Sequence, residues 1–148
     1  MSKQRDIHHM PTLAALMTPF PYHIELDATI EEAQALMSEH GVHHLPVTRD
    51  GDLETIISQG DIERATSPGH RLEEQQLYVR DFCARRPYFA DIHDPLDRIL
   101  LAMADTGIGS VLVMREGELA GIVTTTDVLR FCGKYLSEIT QPVDDSVA

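Results

Sequence analysis

GVHHLPVTRDGDLETIISQGDIERA, from Gly41 to Ala65, and GIGSVLVMREGELAGIVTTTDVLRF, from Gly107 to Phe131, are one pattern written twice. Each opens on a glycine, runs through an apolar stretch to an acidic residue followed by glycine, resumes an apolar stretch, and ends on a hydroxyl residue three positions before an aspartate. Asp50-Gly51 and Glu116-Gly117 between apolar runs predict hairpins, because the favoured two-residue turn needs positive φ at both central positions. The strands predicted on either side are His44 to Thr48 with Leu53 to Ser58, and Ser110 to Arg115 with Leu119 to Thr124. A helix is expected to begin near Asp61 and near Asp127.

Outward from these stretches the match continues without a gap. Shifting the chain by 66 residues lays Leu13–Ala65 on Val79–Phe131, with identities that include Pro21/Pro87, Tyr22/Tyr88, Met37/Met103, Gly41/Gly107, Arg49/Arg115, Ile56/Ile122, Asp61/Asp127 and Arg64/Arg130. Self-similarity at a fixed period marks a duplicated unit. Upstream of each glycine lies a short extended run, Tyr22 to Leu26 or Tyr88 to Ile92, and then a helix. Thr29 and Glu32 have the spacing of a capping box, and Ile30, Ala33 and Met37 fall on one helical face. In the second copy Asp94 is expected to cap, with Pro95 in the first helical position and Leu96, Ile99 and Met103 repeating the face. Gly41 and Gly107 suit the left-handed residue that closes a helix.

The unit is therefore β-α-β-β-α, used twice, which makes the chain a mixed α/β (α+β) protein. Its expected organisation is an N-terminal segment, 1–12; repeat 1, 13–65; a linker, 66–78, opened by Ser67-Pro68-Gly69; repeat 2, 79–135; and an acidic tail, 136–148. One copy of about 55 residues buries too little apolar surface to be comfortably stable alone. The halves should pack about an approximate two-fold axis and leave two equivalent clefts at the seam, where ligands commonly bind.

Composition narrows the function. The 148 residues carry 24 acidic and 12 basic side chains, a net charge of −12. Nucleic-acid binding draws its affinity from Lys and Arg placed on phosphates, so direct binding to nucleic acid is not expected. No apolar run approaches the roughly 20 residues of a bilayer span, and no membrane association is expected. The start of the chain lacks the apolar stretch of a secretory signal. Cys83 and Cys132 show no metal-ligand spacing, and together these features predict a cytoplasmic location. No Gly-rich phosphate loop, nucleophile elbow or HExxH helix is present, so no catalytic role is expected. His8-His9 and His43-His44 are adjacent pairs, poor geometry for chelating a metal from a regular element, and no metal is expected.

With M-T-P at Met17 to Pro19, G-V-H-H-L-P-V at Gly41 to Val47, I-I-S-Q-G-D-I at Ile56 to Ile62 and G-I-V-T-T-T-D-V at Gly121 to Val128, the chain resembles the cystathionine-β-synthase (CBS) domain family, as the tandem pair called a Bateman module. The resemblance covers roughly Leu13 to Tyr135. It implies an adenosine-containing ligand, AMP, ADP, ATP or S-adenosylmethionine, with no cofactor required. The family's Ser/Thr-x-x-Asp pattern falls on Ser58 with Asp61 and on Thr124 with Asp127. A carboxylate there can accept both ribose hydroxyls in charge-assisted bonds. The competing reading is that both aspartates only cap helices.

By the same resemblance the base of one cleft lies against Tyr22 and Val42, opposite Asp127, and the base of the other against Tyr88 and Ile108, opposite Asp61. Each tyrosine can equally be a core aromatic. His43 and His44 fall where the family places phosphate contacts, and one of the two is expected to face away. Arg64, Arg85, Arg86 and Arg130 are further cation candidates. Cys83-Ala84-Arg85 replaces the second M-T-P, and Glu54-Thr55 stand where the second repeat has Ala120-Gly121, which weighs against the Asp61 cleft. The function implied is a stand-alone regulatory sensor, acting as a homodimer on a protein target that the sequence does not name. The alternative is a dimerising structural adaptor with vestigial clefts.

Overall fold

The computed structural model describes residues 10–69 and 75–140. His8, His9, linker residues 70–74 and tail residues 141–148 lie outside the described residues. The elements are α1 (Leu13–Leu16), β1 (Thr18–Pro19), β2 (Ile24–Glu25), α2 (Ile30–His40), β3 (His44–Arg49), β4 (Asp52–Ser58), α3 (Gln59–Thr66), α4 (Val79–Phe82), β5 (Phe89–Asp91), α5 (Leu96–Thr106), β6 (Ser110–Arg115), β7 (Glu118–Thr124) and α6 (Thr125–Thr140). In each repeat a short strand pairs parallel to the first hairpin strand, β2 on β3 and β5 on β6, and the hairpins β3–β4 and β6–β7 are antiparallel.

Both hairpins turn as expected. Asp50 and Gly51 have φ of 51° and 88°, Glu116 and Gly117 of 50° and 80°. Both carry a bulge at the same place, after Val47 and after Val113, where Glu54 and Ala120 are the extra residues. Gly41 and Gly107 close α2 and α5 in the left-handed conformation, at φ 64° and 70°. The Thr29–Glu32 capping box forms in both directions.

One local expectation is corrected. Pro95 is the N-cap of α5 and Leu96 its first residue; Asp94 instead accepts a hydrogen bond from the Asp91 N–H at 2.9 Å, closing the turn before the helix. The helices expected near Asp61 and Asp127 form there, from Gln59 and Thr125, directly after Ser58 and Thr124 end their strands. Leu77 to Arg80, read as the end of a linker and the start of the next repeat, hydrogen-bond by backbone to Leu26, Ala28 and Ile30.

Strand alternation divides the apolar residues between two faces. Leu45, Val47 and Ile57 join Ile30, Ala33 and Met37 of α2 in one core, and Val111, Val113 and Val123 join Leu96, Ile99 and Met103 of α5 in a second. The opposite faces supply Ile56, Leu112 and Ile122, the seam between the repeats. The opening helix of each repeat is exchanged: Leu13 and Leu16 of α1 are buried in the second core, and Val79 of α4 is fully buried in the first. β1 accordingly pairs with β7 of the other repeat, Thr18 opposite Ile122 and Pro19 opposite Gly121. This exchange carries the start of repeat 1 across the molecule and over the mouth of a cavity. Among the described residues no helix is long and apolar enough to cross a membrane.

Candidate ligand-binding cavity

Thr124 and Asp127 sit at the β7–α6 junction, where strand end and helix start share one residue. The Thr124 N–H and hydroxyl both donate to Asp127 Oδ2, at 2.8 and 2.9 Å, and the Asp127 N–H donates back to Thr124 Oγ1 at 3.3 Å. Ser58 and Asp61 reproduce this box at the β4–α3 junction within 0.1 Å or less: 2.8, 2.9 and 3.2 Å. Both aspartates do cap helices, and capping uses only one carboxylate oxygen. Asp127 Oδ1 lies 3.6 Å from the Arg130 guanidinium, whereas the Arg64 guanidinium hydrogen-bonds directly to Asp61 Oδ1. The two junctions therefore differ in how free the second oxygen is.

A cavity of about 510 Å³ opens in front of Asp127. Its walls come from three places: the segment from Thr18 to Tyr22, the α2–β3 loop and the start of β3 with Val42, His43 and His44, and β7–α6 with Ile122, Thr124, Asp127 and Arg130. Tyr22, Val42, His43, His44, Thr124 and Asp127, all singled out in the sequence, are brought together here. Arg130 joins them, while Arg64, Arg85 and Arg86 do not line this cavity. Ser58 and Asp61 share their capping box, Tyr88 packs against the second core, and Ile108 lines a separate cavity of about 280 Å³ between α5 and α6 with Leu100, Met103 and Val128.

Tyr22 is half exposed, and one face of its ring is stacked on His40, with centroids 3.7 Å apart and planes 13° from parallel. His40 ends α2 and escaped the sequence reading, since nothing local links the end of a helix to a tyrosine before it. Both adjacent histidines line the cavity. Only His44 belongs to the strand, so alternation does not send His43 to the other side. His43 Nδ1 is hydrogen-bonded to Gln59 Oε1, which pins its ring at the start of α3. Burial pushes the His44 pKa below the usual imidazole value and His43 adds to the effect, while Asp61 and Asp127 pull upward without overcoming it.

A model of the CBS domain matches residues 13–67 and again 79–134. The chain belongs to the CBS domain family. Its two CBS domains are 31% identical over 134 residues to a CBS domain-containing protein of Dictyostelium discoideum, a match covering 84% of this chain and 92% of the relative. A zinc metalloprotease of Methanocaldococcus jannaschii is 33% identical over 115 residues, 78% of this chain but 30% of that protein. Among solved structures, a CBS domain pair in complex with 5′-methylthioadenosine and S-adenosyl-L-methionine superposes with a TM-score of 0.75 at 23% identity, over 85% of this chain and 98% of that one. At that identity the likeness concerns the CBS-pair fold.

Proposed function

We propose that this CBS pair is a regulatory sensor that binds an adenosine-containing ligand, AMP, ADP, ATP or S-adenosylmethionine, in the cavity in front of Asp127. The observation that carries this reading is the convergence from both repeats, on one cavity, of a half-exposed tyrosine, an apolar Val42, two histidines and an Asp127 whose second carboxylate oxygen meets Arg130 only at 3.6 Å. Tyr22 and Val42 flank the base, Asp127 Oδ1 accepts the ribose hydroxyls, and His43, His44 and Arg130 face any phosphate. The adenosine ligands of a structural neighbour belong to the same chemical class. The Asp61 junction, with Arg64 on its second oxygen, is the weaker of the two.

The signal passes to a protein target through a homodimer. Leu129, Cys132, Leu136 and Ile139 form an exposed stripe on α6 at helical spacing, the surface on which a second copy would pack. A cytoplasmic location and a non-catalytic role complete the reading.

Thermal unfolding with each of the four ligands tests it. A ligand bound only by the native state adds RT ln(1 + [L]/Kd), about 2.7 kcal/mol at a hundredfold excess. A rise in Tm with at least one ligand, removed by Asp127→Ala, is the expected result; no rise with any at millimolar concentration overturns the reading in favour of an adaptor.

A further inference from the structure

Between β1 and β2 the chain passes through Phe20, whose φ is +47°. Left-handed backbone is unusual for a bulky side chain, because Cβ crowds the next carbonyl oxygen. A residue before proline is in addition normally held extended, and Pro21 follows. Among the described residues the other non-glycine positions with positive φ are Asp50 and Glu116, where the hairpin turns demand it. No such turn surrounds Phe20. Arg86, at the same place in the second repeat, does not share the conformation.

The strained residue also leaves its ring 92% exposed. With Pro21 and Tyr22 it forms a wall common to two cavities: the one in front of Asp127, and another of about 700 Å³ lined by Leu36, Leu53 and Leu119. A strained backbone and an aromatic ring left in water are both unfavourable, and outliers of this kind gather at ligand clamps. His40 already occupies one face of the neighbouring Tyr22 ring. A planar base beside Tyr22 therefore needs a second aromatic surface from elsewhere, and Phe20 is the ring placed to supply it.

We propose that Phe20 is the base-covering residue of this cavity: its ring closes onto a purine held beside Tyr22 and Val42, so that the segment from Pro19 to Tyr22 distinguishes ligands that carry a base from ribosyl phosphates that do not. This rests on the adenosine reading above. Phe20 has no role in holding ribose or phosphate, and its contribution is confined to the base.

The chain contains no tryptophan, so Phe20→Trp places a single indole at this position. Wild type, Phe20→Trp and Phe20→Asn are titrated calorimetrically with AMP, ADP, ATP, S-adenosylmethionine and ribose 5-phosphate, and the indole is followed by emission and acrylamide quenching. The adenosine ligand bound by wild type should shield the indole, and ribose 5-phosphate should not. Phe20→Asn, which tolerates left-handed backbone, should weaken that ligand roughly tenfold, as loss of one base-aromatic stack does. It should leave any ribose 5-phosphate binding unchanged and raise the Tm of the free protein, a pairing of effects that a purely structural residue would not give. Wild-type binding with Phe20→Asn equally tight, or with the indole still open to acrylamide, overturns this proposal alone. Shielding that grows with protein concentration in the absence of ligand also overturns it, in favour of a protein contact. If wild type binds none of the four adenosine ligands, the adenosine reading falls and this proposal with it.

Discussion

Thr55 and Gly121 stand at the same position of the two repeats and serve the exchanged segments in opposite ways. The Thr55 hydroxyl donates to the Ala84 carbonyl at 2.6 Å. At Gly121 a Cβ would meet Met17 Sδ at 2.7 Å and the Thr18 carbonyl at 2.8 Å, so β1 lies directly against bare backbone. Gly121→Val should destabilise by about 1–3 kcal/mol, the usual cost of overfilling a packed site, and lift the Thr18–Tyr22 wall. Urea unfolding measures the first effect and ligand titration the second. Thr55→Val should cost about 1–2 kcal/mol, since the Ala84 carbonyl loses a buried donor.

The equal capping boxes at Asp61 and Asp127 allow stability to be separated from binding. Asp61→Ala and Asp127→Ala should each lose about 1 kcal/mol of stability through the cap. Only Asp127→Ala should also abolish the ligand-induced rise in Tm. Equal loss of that rise in both variants would show that both junctions bind, and full retention in Asp127→Ala would remove the carboxylate from the ribose.

His43→Ala combined with His44→Ala should weaken ATP far more than adenosine, because only ATP places phosphates where these rings stand. Comparable losses for the two ligands in isothermal titration would exclude a phosphate contact.

Acid should act through His44. Its folded pKa lies below the unfolded value near 6.5, so between the two the unfolded chain binds a proton that the native protein does not. Stability therefore falls as pH drops through about 6.5 toward the folded pKa and levels off below it. His44→Gln should flatten that part of the Tm-versus-pH curve. A phosphate beside the ring favours its protonated form, so ATP affinity should rise over the same window while adenosine affinity does not. Parallel pH curves for wild type and His44→Gln would show that another group controls the transition.

Leu129→Asp or Leu136→Asp should break a dimer built on α6 while leaving the fold intact, because both side chains are more than half exposed. Sedimentation velocity should show monomer for the variants and dimer for wild type. A wild type that sediments as a monomer removes the stripe from self-association.

The sequence by itself determined what depends on neighbours a few positions apart. Asp-Gly and Glu-Gly demand their turns, Thr29 and Glu32 satisfy each other's backbone, Gly41 and Gly107 take the left-handed closing position, and the alternation of apolar residues assigns one strand face to a helix and the other to the seam. Local geometry and burial leave little choice in such places, and the duplication repeats each signal. Where the chain crosses between repeats, only the tertiary structure decided. Leu13 and Val79 are apolar in either repeat's company, and nothing local says that each is buried in the other's core. The left-handed Phe20 lies where the chain leaves β1, paired with the second repeat, for β2, paired within the first, and the His40–Tyr22 stack joins the end of α2 to the segment before β2. They depend on contacts between residues far apart or on different elements, whose energies no short window of sequence contains.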